Sequence, residues 1–75
     1  MKNNFVDIKK FGFYYGMPKC IARASLEKEG YEVFGGKNFL LIYGRFKEEF
    51  TRTIETYTAV KFEIENDSIA NIKGT

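Results

Sequence analysis

The sequence predicts an α+β domain in which one short helix packs on an antiparallel sheet, in the order β-α-β-β-β with room for a last short strand. Three observations lead there. A single stretch, residues 17–29, has helical spacing with a proline near its start and a glycine just past its end. Residues 53–65 alternate apolar and polar side chains over their whole length. Eight Phe and five Tyr in 75 residues favour strands and supply the large buried rings that so small a core needs. At 8.7 kDa the chain has room for one domain, residues 1–75.

The first element is residues 5–15, Phe-Val-Asp-Ile-Lys-Lys-Phe-Gly-Phe-Tyr-Tyr. Val6 and Ile8 fall on one parity, and Phe11, Phe13 and Tyr15 on the other. A one-residue slip flips every side chain of a strand to the opposite face, so the pattern predicts one bent strand or a short hairpin with a bulge near Lys9-Lys10. The helix follows. Pro18 suits a first helical turn, and Cys20, Ile21, Ala22, Ala24 and Leu26 lead to Gly30, a natural left-handed residue past the end. With Gly30 as the cap, Leu26 and Tyr31 occupy the two contact positions of a Schellman motif. The helix start brings no capping oxygen at Gly16 or Met17.

Residues 31–34 and 39–46 are β-rich and joined by Gly35-Gly36-Lys37-Asn38, whose paired glycines permit the positive φ of a tight hairpin. In the next strand Ile54, Thr56, Thr58, Val60, Phe62 and Ile64 share one face, with Glu55, Tyr57, Lys61, Glu63 and Glu65 on the other. Asn66-Asp67-Ser68 turns the chain, and residues 69–72 add the final strand.

Phe39-Leu40-Leu41-Ile42-Tyr43 is apolar on both parities, so both faces of this sheet need cover. A helix about 18 Å long and about 10 Å wide covers roughly half of one face of a four-stranded sheet. Strong curling of the sheet into a partial barrel, a second copy of the chain, or a partner must close the rest. Phe39, Leu41 and Tyr43, with Tyr57 beside them where the strands pair, form the candidate protein interface. The alternative is that these rings are core inside a curled sheet.

The absence of His and Trp and the single Cys exclude from this chain a Ser-His-Asp or Cys-His nucleophile, a disulfide framework and a Cys/His zinc site. Cys20 reads as a small packed residue without a base. The carboxylates Glu48, Glu49, Glu55, Glu63 and Glu65 read as solvated, with no calcium or magnesium spacing among them. Gly35-Gly36-Lys37-Asn38 lacks the first glycine and the hydroxyl of a phosphate loop. No catalytic residue, metal or cofactor is expected. The N-terminal residues lack an apolar leader core and the longest apolar run, residues 39–43, is far too short to span a bilayer. The expectation is a cytoplasmic protein away from the membrane.

Net charge is only +2, but residues 1–23 carry five Lys or Arg against one Asp, while residues 24–75 carry seven against nine Asp or Glu. Lys9-Lys10-Phe11-Gly12-Phe13-Tyr14-Tyr15 resembles in part the RNP1 pattern of RNA-binding sheets, in which cations meet phosphates and rings stack bases. Lys9, Phe11, Gly12 and Phe13 fit, whereas Lys10 stands for the first glycine and Gly16 for the last aromatic, and the two-helix order of that family is absent. Lys19 and Arg23 sit early in the helix and Glu27 and Glu29 late, against the helix dipole. They either extend a basic patch or, for Arg23 and Glu27, form an i,i+4 pair.

The leading expectation is therefore a non-enzymatic protein that acts through contact with a protein partner or with itself. Inhibitor, adaptor and accessory proteins, including those of mobile elements, have this size. The alternative is single-stranded nucleic-acid binding through Lys9, Lys10, Phe11, Phe13, Tyr15, Lys19 and Arg23.

Overall fold

The computed structural model describes residues 5–75. In chain order the elements are β1 (Val6–Asp7), a 3-10 turn (Ile8–Phe11), α1 (Lys19–Lys28), β2 (Phe34–Gly35), β3 (Phe39–Glu49), β4 (Ile54–Glu65) and β5 (Ser68–Gly74). They form a small α+β domain with one helix and one sheet. The long strands β3, β4 and β5 make an antiparallel meander. The other edge of β3 is shared by β2, antiparallel at Leu40 and Leu41, and β1, parallel at Phe46 and Lys47.

Three expectations are corrected here. The sheet is mixed rather than antiparallel throughout, because α1 and β2 lie between β1 and β3 and return the chain in the same direction. Nor does the sheet close into a barrel: β1 and β2 lie at one edge and β5 at the other. Residues 5–15 are not a bent strand either. The Asp7 carboxylate accepts from the Lys9 amide at 3.0 Å and opens a 3-10 turn, which Gly12 ends at φ 68°. The change of parity at Lys9-Lys10 is the trace of that turn.

The helix ends as its sequence requires. Gly30 has φ 95°, its amide donates to the Glu27 carbonyl at 3.0 Å, and the Tyr31 amide donates to the Leu26 carbonyl at 3.1 Å, which together are a Schellman motif. At the start Pro18 caps without a side-chain hydrogen bond, and the Lys19 amide donates instead to the Asp67 carbonyl at 2.8 Å. That carbonyl belongs to a two-residue hairpin in which Asn66 and Asp67 both have positive φ, 51° and 59°, the type I′ geometry that suits twisted strands. The β2–β3 turn uses its glycines differently from expectation. Neither has positive φ; a Cβ on Gly35 would meet Leu40 Cδ2 at 2.9 Å and one on Gly36 the Phe39 ring at 2.8 Å. Space, not backbone freedom, selects glycine there.

Ala22 and Leu26 of α1 press onto Leu40, Ile42, Phe46, Val60, Phe62, Ile64 and Ile69. Beyond the helix the same sheet face is roofed by the N-terminal segment. Phe13 packs on Phe62 with ring centroids 5.2 Å apart, and Phe11 meets Phe13, Tyr31 and Phe46 at 5.7, 5.6 and 6.0 Å. Helix and N-terminal segment thus lie on the same side of the sheet.

Candidate functional site

Strand alternation assigns the other side. With Leu40, Ile42 and Phe46 buried, Phe39, Leu41, Tyr43, Arg45 and Lys47 of β3 point away from the helix. Register carries this to the neighbours: Phe34 of β2 stands across from Leu41, and Glu63, Lys61 and Ala59 of β4 stand across from Phe39, Leu41 and Tyr43. No helix or loop among the described residues lies over these side chains. Tyr43 is 60% exposed and Phe34 46%, their rings meeting edge-on at 5.7 Å, while Phe39 and Leu41 are half-buried between strands. The result is an apolar strip along β2 and β3 on an uncovered sheet face.

Charge on this face is mostly paired. Lys47 Nζ lies 2.8 Å from Glu49, and Lys73 Nζ 3.5 Å from Glu63. Asn71 also donates to Glu63 at 3.2 Å, and the Asn71 bond and the nearby Lys73 charge hold this carboxyl below the ordinary glutamate range. The Lys61 ammonium stands 5.6 Å above the Phe39 ring centroid. Arg45 is exposed, and neither it nor Lys61 has a carboxylate within ion-pair distance among the described residues.

Tyr57 does not join the strip. Two residues of β3, Gly44 and Arg45, separate Tyr43 from Phe46, but only one of β4, Thr58, separates their partners Ala59 and Tyr57. The extra residue is a β-bulge, and it turns Tyr57 to the side of Phe46, where its ring packs over Gly74 against the core. Phe34, Arg45 and Lys61 replace it. Phe34 was legible in principle, since a hairpin through residues 35–38 places it opposite Leu41.

The residues named for nucleic acid are brought together only in part: Lys9, Phe13 and Tyr15 line one pocket and Lys10, Phe11 and Phe13 a second, while Lys19 and Arg23 stand apart from both. Phe11 and Phe13 are committed to the aromatic roof, and Tyr15 is exposed beside them. Lys9 Nζ donates to the Glu49 carbonyl at 3.1 Å, and Lys10 lines a shallow cleft with Ser25 and Lys28 at the C-terminal end of α1. Lys19 and Arg23 stand at the opposite end of that helix; Lys19 Nζ donates to the Gly36 carbonyl, and Arg23 pairs with Glu27 at 3.5 Å.

The start of β5 is bonded by the segment before the helix, while Ala70–Gly74 has no strand on its outer side among the described residues. Gly16 and Met17 bond to Ile69 at 2.7 and 2.9 Å on the outer side of β5, and the Asn71 side chain accepts from the Ile72 amide at 3.0 Å. Among the described residues Ile54–Tyr57 of β4 likewise run past the end of β5 without a partner on that side. On the core side of that arm Glu48 and Glu55 stand opposite each other, and the Tyr57 hydroxyl lies 3.2 and 2.7 Å from their oxygens. Glu55 first, then burial and Glu48, push the Tyr57 phenol well above its ordinary value. No group of three or more potential metal ligands occurs among the described residues, and no helix is long and apolar enough to cross a membrane. Comparison with protein-family models, curated proteins and solved structures found no match to the chain.

Proposed function

We propose that this is a non-enzymatic binding domain that docks a protein partner on the uncovered sheet face of Phe34, Phe39, Leu41 and Tyr43. The observation that carries the reading is one-sided layering: α1 and the N-terminal roof both lie on the Leu40 face, so the opposite apolar strip has no cover among the described residues. Contiguous exposed apolar surface of this kind marks interaction sites. The exposed rings of Tyr43 and Phe34 are the residue types that dominate interface energetics, and the flanking Lys and Glu side chains supply a polar rim.

The test is comparative capture. Wild-type protein and the variants Tyr43→Ala and Phe34→Ala are immobilised beside Ile54→Ala, which removes an equally exposed apolar side chain on the hairpin arm. A specific partner is retained by wild type and Ile54→Ala and lost by the other two. Equal retention by all four refutes the reading.

A further inference from the structure

We infer that the segment docked on this face is an acidic one: a stretch of protein with an apolar or aromatic anchor between carboxylates that meet Arg45 and Lys61. The inference rests on the docking reading above and adds the chemistry of the partner. Along β3 the outward side chains run Phe39, Leu41, Tyr43, Arg45, and Lys61 stands directly across from Leu41. The two cations therefore bracket the exposed Tyr43 ring, about 13 Å apart at roughly 3.3 Å per strand residue. The other lysines of this face, Lys47 and Lys73, already have carboxylate partners. Lys61 adds to the positive field around Glu63 but makes no ion-pair contact with it, and Arg45 has no carboxylate partner among the described residues, so both cations beside the apolar anchor attract a complementary potential and repel a positive one.

The same charges discriminate among occupants. An isologous dimer would lay the patch on its own copy and bring its two unpaired cations against those of the second chain, with no free acid near Tyr43 to answer them. Glu65 is exposed on this face but lies at the far end, beside the 66–67 turn. A single strand of nucleic acid needs a continuous cation track. Two contacts would give a salt slope of only about −1.4 at roughly −0.7 per phosphate, and Glu63, held ionised by Asn71 and Lys73, stands beside Phe39 against it. An acidic peptide segment satisfies two separated cations and fills the apolar strip at once.

The experiment is selection of random displayed dodecapeptides on the folded protein, followed by affinity measurement of the enriched peptides as synthetic probes. The probes are titrated against wild type, Arg45→Gln, Lys61→Gln, the double Arg45→Glu/Lys61→Glu, and Tyr43→Ala, each shown by thermal melting to be folded. Enriched sequences should place Asp or Glu on both sides of an apolar residue, about four positions apart when extended. Each Gln variant should weaken binding several-fold and the double reversal at least tenfold. Exchanging the peptide acids for Lys should restore binding to the double reversal alone. Peptides without acidic enrichment, or affinities indifferent to both cations while Tyr43→Ala still abolishes binding, overturn the acidic-partner inference and leave the docking face standing. Binding that survives Tyr43→Ala, or no enrichment at all, removes both. A sedimenting dimer dissolved by Tyr43→Ala, or oligothymidylate binding lost in the double reversal, replaces the acidic segment with a second copy or a nucleic acid.

Discussion

Tyr57 stands opposite Phe46, and its ring lies directly over Gly74. The contact exists because the bulge between Tyr43 and Phe46 changes the register of β3 against β4 by one residue. A Cβ on Gly74 would clash with the Tyr57 ring, which is tethered through its hydroxyl to Glu48 and Glu55. Gly74→Ala should therefore destabilise the fold by about 1–3 kcal/mol, as overpacking does. Urea unfolding measures it, and in a Tyr57→Ala background the same substitution should cost much less.

The aromatic roof makes a second prediction. Phe13 packs at a tilt on the fully buried Phe62, so Phe13→Ala should cost about 2–4 kcal/mol, near the lower part of the range for buried rings because Phe13 keeps some exposure. Chemical denaturation checks this. Lys9→Gln and Lys10→Gln, both exposed, should stay within about 0.5 kcal/mol of wild type.

The helix, its Gly30 cap with the Leu26 and Tyr31 positions, and the 66–67 turn all follow from local chemistry and were readable from adjacent residues. The two-sided apolar run of residues 39–43 also announced a strand with apolar side chains on both faces of the sheet. What stayed hidden depends on pairing. A bulge leaves no mark in one strand alone, so alternation places Tyr57 on the face of Phe39 and Ile54, Thr56 and Thr58 on a buried one, whereas Tyr57 lies on the side of Phe46 and the other three are exposed. Residues 5–15 showed period two with a slip, which a strand with a bulge and a 3-10 turn beside a roof produce equally. Arg45 and Lys61 became candidates only when register placed them around Tyr43.

The helix cap gives a third prediction. Gly30 at φ 95° occupies a conformation that a Cβ penalises, with nothing nearby to clash sterically. Gly30→Ala should cost about 1–2 kcal/mol from backbone strain alone. The readout is the midpoint of urea unfolding with an unchanged slope.

The phenol of Tyr57 sets the alkaline behaviour. Its hydrogen bonds to Glu55 and Glu48 raise its pKa in the folded state above the ordinary value of about 10. A raised folded-state pKa contributes stability that is complete below about pH 10 and is lost as pH climbs toward the folded value. Tyr31 titrates high for a different first cause, burial, with Glu29 adding to it. Spectrophotometric titration of the phenols should therefore show late-ionising tyrosine whose amplitude falls in Tyr57→Phe, and that variant should lose less stability than wild type between pH 9 and roughly pH 11.

The central claim is that the strip of Phe34, Phe39, Leu41 and Tyr43 serves contact rather than folding, and one variant tests both halves. Tyr43 is 60% exposed and packs on no buried residue of the core cluster, its ring meeting that of Phe34. Tyr43→Ala should unfold in urea within about 1 kcal/mol of wild type, the scale of one exposed aromatic contact. The same sample, titrated with the enriched peptide probes, should bind at least tenfold more weakly. Undiminished binding by this variant, or a loss of stability of about 3 kcal/mol as for a core ring, would contradict the account.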